Sequence, residues 1–477
     1  MPKGVFYVRR LVRLLVATAA VLAVVTGSAS ADERMWIGFH DDPVLRYGSN
    51  RQAELDKVRA ANATIVRTLV EWRSVAPARP RSATNSFDPA YRFADLDEFV
   101  RNAQQRGMEV LMTIWGTPKW ANGGKGPAYL PTKMADFQNF ARAVATRYNG
   151  RRPGYPFVRF YGIWNESNLG NFLAPQFDKK GKIVSPAAYA KLAAAGYAGL
   201  KTGSPKAQVA IGETSSNGKD KPKQGSTDST TPGTFAKLVA QANKKLRFDA
   251  WAQHPYPVPV NQGPGQKVRY PNVAFSTMKQ FEKDLDKWFG RKNIPVWVTE
   301  YGNETKPGEP KGVTEAHQAA YVPQAIAFAK KDPRIPMFVW FVFRDSAGSP
   351  WQSGVYRTSG AAKPAAARWA AAAKPVDKLN GKVSVKGGTS APLVNVNYRD
   401  MCTNNVPGTP VGVVWRAFAG AQSVASGQTN VPLAFDCTIT VRLTGLVVAK
   451  GRSYRTEIDA NTVATPAKRR LITIVGT

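Results

Sequence analysis

Between residues 35 and 375, short apolar runs alternate with longer stretches whose apolar residues fall at helical spacing. The runs at 35–40, 64–70, 109–114, 158–164, 208–212, 248–252, 296–299 and 337–343 are too short for ordinary helices. Most are apolar at both alternations, as expected of strands buried on two faces. The stretch after the first run places Ala53, Leu55, Val58 and Ala61 on one face of a charged helix. Residues 95–105, 135–148, 185–200, 235–244, 275–289, 314–329 and 363–373 repeat that pattern; Phe137, Phe140, Ala143 and Val144 are one such stripe. Eight strand–helix units predict an α/β fold, a (β/α)8 TIM barrel over residues 32–376. The competing open, doubly wound sheet loses weight because no G-x-G-x-x-G follows an early strand and no phosphate-binding loop motif occurs.

After Pro375 helical spacing disappears. Short alternating runs at 383–386, 393–398, 411–417, 431–443 and 470–475, punctuated by Gly, Pro and Asn, predict a smaller all-β sandwich over residues 382–477. The junction is expected at 377–381. A polar Gly/Ser/Lys-rich insertion at 215–232 is expected to be a loop.

The amino-terminal segment follows neither pattern. Lys3, Arg9, Arg10 and Arg13 precede an apolar run at 14–25, and Ala29-Ser30-Ala31 follows. This is the layout of a signal peptide, residues 1–31, whose apolar run is short for a membrane span. The expectation is a secreted protein, extracellular or wall-associated, with no transmembrane span after cleavage; an uncleaved anchor is the alternative. Export also changes the reading of the only two cysteines, Cys402 and Cys437, which are expected to pair as a disulfide.

The net charge of +33 falls to +29 (33 minus 4) once residues 1–31 are removed. So basic a surface suits an anionic cell-wall or polysaccharide partner, set against a plain compositional bias. The charge is spread along the chain, and Lys219 to Lys223, its densest loop, has no interleaved aromatics, which argues against a specific nucleic-acid partner. The three histidines, His40, His254 and His317, stand far from the cysteines, so no metal site or cofactor is expected. A monomer is expected.

Two runs carry the candidate chemistry. Phe160-Tyr161-Gly162-Ile163-Trp164-Asn165-Glu166 and Val296-Trp297-Val298-Thr299-Glu300 are apolar runs that each end in a glutamate. They are the fourth and seventh strands of the predicted barrel, so the two carboxylates would converge across its mouth. Two such carboxylates are what glycoside hydrolysis requires. Trp164-Asn165-Glu166-Ser167-Asn168 and Val298-Thr299-Glu300-Tyr301-Gly302 resemble the two glutamate motifs of the large clan of retaining (β/α)8 glycoside hydrolases, of family 39 or family 5 type. Ser167 stands where the clan carries proline. The resemblance implies a retaining β-glycosidase on a carbohydrate substrate, Glu166 as acid/base and Glu300 as nucleophile. It also implies that Arg67, Asn165, Tyr256 and His254 surround the reacting sugar and that Trp340 forms the floor beneath it.

Each of these residues has a plainer reading. Arg67 would suit a strand-end ion pair, His254-Pro255 a turn, and Trp340 the core. Trp115, Trp120, Tyr129, Phe172 and Trp351 are candidate sugar platforms in rim loops or simple loop anchors; Trp115 is taken as substrate-binding. Glu71, Glu213 and Glu304 are rival carboxylates. Trp415 and Tyr398 suit the core of the β domain better than a sugar platform. A non-catalytic wall- or polysaccharide-binding protein on the same scaffold is the alternative function.

Overall fold

A computed structural model describes residues 35–259, 261–374, 380–398, 401–402, 405–434 and 437–477. The expected leader and most of the expected junction lie outside the described residues. Eight strands, β1 (Trp36–His40), β2 (Ile65–Glu71), β3 (Glu109–Trp115), β4 (Phe160–Ile163), β5 (Gln208–Thr214), β6 (Ala250–Gln253), β7 (Val296–Val298) and β8 (Met337–Phe341), pair in sequence order, and β8 closes on β1. Every pairing is parallel. The eight principal helices are α1 (Arg51–Ala60), α2 (Ala94–Gln105), α3 (Met134–Arg147), α4 (Ser185–Gly203), α5 (Pro232–Ala242), α6 (Met278–Phe289), α7 (Glu315–Lys331) and α8 (Pro364–Ala373). One-turn helices Asp42–Leu45 and Trp72–Val75 follow β1 and β2.

Local chemistry sets several of these boundaries. Proline occupies the first turn of α4, α5 and α8, where its missing N–H costs nothing. Thr314 accepts from His317 N at 3.1 Å and starts α7. The strands are apolar on both sides because one side meets the helices and the other fills the barrel. In β8, Phe338 and Trp340 join the helix-side core, whereas Met337 and Val339 join the interior cluster.

The C-terminal region holds a five-stranded sheet and a two-stranded one. The first is ordered β12 (Gln422–Pro432), β11 (Pro410–Ala419), β14 (Ser453–Thr462), β15 (Thr465–Gly476), β9 (Asn380–Val385). The second pairs β10 (Leu393–Asn397) with β13 (Thr438–Arg442). Alternate residues of both, including Val394, Ile439, Val413 and Ile472, share one core, which gives the expected sandwich. Trp415 and Tyr398 are buried in it, and Tyr398 Oη donates to Ile458 O at 2.7 Å. Cys402 and Cys437 form a disulfide with Cα atoms 5.6 Å apart.

The barrel interior is stacked in tiers. Its lower tier of Trp36, Phe160, Trp297 and Met337 continues into Met401, Cys402 and Cys437 as one apolar cluster. Arg159, just before β4, donates to Cys402 O at 3.4 Å and Asn405 O at 3.3 Å. The disulfide end of the β domain therefore lies under the N-terminal ends of the barrel strands. No helix among the described residues is long and apolar enough to cross a membrane.

Candidate active site

Above the apolar tier, the interior positions at the C-terminal ends of the strands are polar. His40, Arg67, Thr113, Glu213, His254 and Glu300 come from six different strands or the residues just beyond them, and all are buried. Arg67 is the hub. Its Nη1 lies 2.5 Å from Glu300 Oε1 and 2.9 Å from His40 Nδ1. Its Nη2 donates to Asn165 Oδ1 at 2.8 Å and Glu213 Oε2 at 2.6 Å, and its Nε to Thr113 Oγ1 at 3.0 Å. A planar guanidinium holds such a fan of acceptors in fixed directions.

Glu166 and Glu300 face each other over this layer. His254 Nδ1 is 3.1 Å from Glu166 Oε1 and 3.5 Å from Glu300 Oε2. One carboxylate oxygen of Glu166, one of Glu300 and a ring nitrogen of His254 all lie within 4.8 Å of one another. Tyr256 Oη donates to Glu300 Oε2 at 3.3 Å, and Thr299 Oγ1 meets His254 Nε2 at 3.1 Å.

This geometry separates the two acids electrostatically. Burial raises the pKa of Glu166 above its ordinary value, which outweighs the pull of His254 and Arg67. Glu300 is also buried, but the charges of His254 and Arg67, with His40 hydrogen-bonded, hold it well below the usual carboxylate range. Burial opposes a charge on His254, yet Glu300, Glu166 and Glu213 together push it up to about 9. One buried carboxyl therefore keeps its proton more readily and its neighbour stays ionised. A histidine protonated at neutral pH has no free ring lone pair, so this trio is better suited to sharing protons than to ligating a cation.

The sequence-predicted residues Arg67, Asn165, Glu166, His254, Tyr256 and Glu300 therefore meet at one point. Trp115 sits at the rim on the interior parity of β3, 8% exposed, with ring edges against Trp164 and Phe172. Trp340 does not meet them. Its ring is wholly buried on the outer side of β8, edge-on to Tyr301 and Trp369, with Nε1 donating to Ser353 O at 2.9 Å. It has no exposed face, and the aromatic rings that stand at the mouth are those of Phe341 and Trp351. Phe341 is half-buried beside His40, with ring centroids 5.1 Å apart, and Trp351 packs on both Phe341 and Tyr256. Trp120 is a loop anchor, its Nε1 on Ala76 O.

Sequence reasoning missed His40, Thr113 and Thr299 as members of the cluster and placed Glu213 only among the rival carboxylates. Glu213 is fully buried beneath Arg67, out of reach of any sugar. Ending a predicted barrel strand was the one available signal for His40.

A family model described as Cellulase (glycosyl hydrolase family 5) matches residues 29–345. A family 39 glycoside hydrolase from Bacteroides cellulosilyticus WH2 superposes with a TM-score of 0.53 at 18% identity, covering 86% of this chain and 81% of that one. GH5_18 from Streptomyces cattleya, solved in complex with GlcNAc, gives 0.50 at 15% identity, covering 75% and 85%. A chloroplastic beta-glucosidase-like protein, SFR2, of Oryza sativa subsp. japonica is 25% identical over 130 residues, 26% of this chain and 18% of that protein. The matched part is thus under a fifth of that relative's length.

Proposed function

The chain belongs to the cellulase family of glycosyl hydrolases, family 5, and from that premise we propose an exported, retaining β-glycosidase that cleaves polysaccharide or oligosaccharide by double displacement. The observation that carries this reading is the approach of Glu166 and Glu300 to within 4.8 Å. Retaining enzymes need carboxyls about 5–5.5 Å apart, whereas inverting ones leave about 6.5–9.5 Å for a water.

In the first step a Glu300 oxygen attacks the anomeric carbon, and Glu166 gives its proton to the departing glycosidic oxygen. The product is a glycosyl ester on Glu300. In the second step Glu166, now a carboxylate, takes a proton from the water that attacks the same carbon, and Glu300 leaves ionised. Arg67 and Tyr256 hold the nucleophile, and Asn165 stands beside it to meet a sugar hydroxyl. Export is supported by the leader-like segment and by the disulfide, a bond that persists in oxidising compartments.

The rim narrows the substrate class. Lys179, Lys180 and Lys182 follow β4, Lys219, Lys221 and Lys223 follow β5, and all six are exposed. The two loops abut, with Pro222 side-chain atoms 3.6 Å from the position a Cβ on Gly181 would take. The acids among these lysines bond backbone donors: Asp178 accepts from Lys180 and Lys182 N, Asp220 from Thr231 N, and Asp228 from Lys223 N. With six lysines against these three aspartates the two loops that follow β4 and β5 stay net positive, which favours an anionic glycan.

The test is turnover of a panel of aryl β-glycosides with the product anomer followed by proton NMR. Retention of the β anomer is expected, and initial formation of the α anomer would exclude double displacement. Glu300→Ala should remove turnover. Glu166→Ala should cost about 10²–10⁴-fold on poor leaving groups and much less on activated ones. Because Glu166 acts as the acid, kcat/KM falls as pH rises through its elevated pKa. Because Glu300 remains ionised, no loss is expected at pH 4.5, the ordinary glutamate value.

A further inference from the structure

Glu213 has no place in the two-step chemistry, yet the fold makes unusual provision for it. A register shift between Gly212 and Thr214 interrupts the β5–β6 pairing. Gly212 has φ 92 and Glu213 itself has φ 43, a left-handed backbone that non-glycine residues seldom adopt. Two side chains from other elements fasten this bulge. Ser167 Oγ donates to Gly212 O at 2.7 Å, and Tyr189 Oη accepts from Gly212 N at 2.7 Å. On the neighbouring strand β4, Gly162 leaves the space the carboxylate fills, since a Cβ there would stand 1.9 Å from Glu213 Oε1. One oxygen of Glu213 accepts from Thr113 at 2.9 Å, and the other meets Arg67 Nη2 at 2.6 Å and His254 Nε2 at 3.8 Å.

We propose that Glu213 is a positioning residue: a buried counter-ion that aims Arg67 at Glu300 and completes a set of charges that cancel while Glu166 carries its proton. The inference rests on the roles given above to Glu166 and Glu300. The groups facing the cluster are His40 from β1, Arg67 from β2, Thr113 from β3, Asn165 and Glu166 after β4, His254 and Tyr256 after β6, and Thr299 and Glu300 after β7. The last residue of β8, Phe341, is apolar. His40 is matched by Asp42, 3.5 Å away. What remains is Arg67 and protonated His254 against Glu213 and Glu300, with Glu166 neutral. That balance is the state in which Glu166 can act as an acid. Without Glu213 the same set carries one excess positive charge, which is relieved by losing a proton from the Glu166–His254 pair. The pair titrates jointly, so the proton-bearing state is lost at lower pH whichever member holds it.

The test is Glu213→Gln, which keeps shape and removes charge. The chain has three histidines, so imidazole NMR resolves them, and His254 is the one in contact with this group. The expected result is a His254 titration, and an alkaline limb of kcat/KM, both moved down by roughly one pH unit or more, as for loss of an opposite charge within a few ångströms. Turnover at the optimum is expected to fall as Arg67 loses its orientation. An unmoved His254 titration overturns the proposal, however much activity is lost. If the glutamine variant does not fold, Glu213→Asp keeps the charge, and its His254 titration should stay within about half a unit of the parent. A displacement of a full unit there overturns the proposal equally. The NMR reading needs no substrate. Failure of every glycoside to turn over would sink the proposed function and leave this result standing.

Discussion

Gly162 precedes Glu166 by a few residues and Ser167 follows it directly, and both bear on Glu213. Gly162 supplies space and Ser167 supplies a hydrogen bond to the bulge. Gly162→Ala should therefore displace Glu213, lower kcat/KM about 10–100-fold through misplaced Arg67, and cost about 1–3 kcal/mol of stability as an overpacked core position. Paired kinetics and urea unfolding would separate the two effects, and an alanine variant with parental kcat/KM would contradict this account. Ser167, the departure from the proline of the resembling motif, becomes intelligible here, because proline has no hydroxyl to give Gly212. Single residues were legible where a polar group ended an apolar run, as with Glu166, Glu300 and Arg67. Trp340 was misassigned for a physical reason. In a strand buried on both sides, inward and outward positions are equally apolar, so the sequence of β8 does not say which of Trp340 and Phe341 faces the mouth.

At the scale of elements, α8 and β8 are held together by aromatic packing. Trp369 lies 4.2 Å from Phe39, 6.1 Å from Trp340 and 6.2 Å from Phe338, measured between ring centroids. Trp369→Ala should cost about 3–5 kcal/mol, read as a lower denaturation midpoint, with kcat/KM near parental at a temperature where the variant is folded. A loss of activity without a loss of stability would contradict that purely structural role. All eight barrel strands were legible because burial on two faces leaves an apolar run bounded by polar loops. The β domain was less so. β12, Gln422-Ser423-Val424-Ala425-Ser426-Gly427-Gln428-Thr429-Asn430-Val431-Pro432, is an edge strand that is largely exposed, so it has no apolar stripe to betray it. β14 mixes polar residues with its buried Tyr454, Thr456, Ile458 and Ala460, and the Thr blurs the alternation.

For the whole molecule, charge is the property sequence announced without locating. Part of it lies in the six rim lysines. Replacing all six by glutamine should raise KM for a soluble carboxylated glycan several-fold at low salt and leave a neutral aryl glycoside unaffected. High salt should erase the difference, since screening acts within about 10 Å at 0.1 M. Six lysines on the far side of the barrel, replaced in the same way, serve as the control for net charge. Equal responses from both sets would assign the effect to bulk charge and remove the rim from the account.

The sandwich lies beneath the N-terminal ends of the barrel strands, opposite the mouth where Glu166 and Glu300 meet, so nothing it does need touch that mouth. Whatever binds at the mouth therefore need not meet the sandwich. An attachment through the outer face of the five-stranded sheet would present the barrel mouth outward, away from the point of attachment. Such an arrangement makes the sandwich a handle and the barrel a tool head, joined through one apolar layer, so that a different handle would have to bring a matching face for Trp36, Phe160 and Met337.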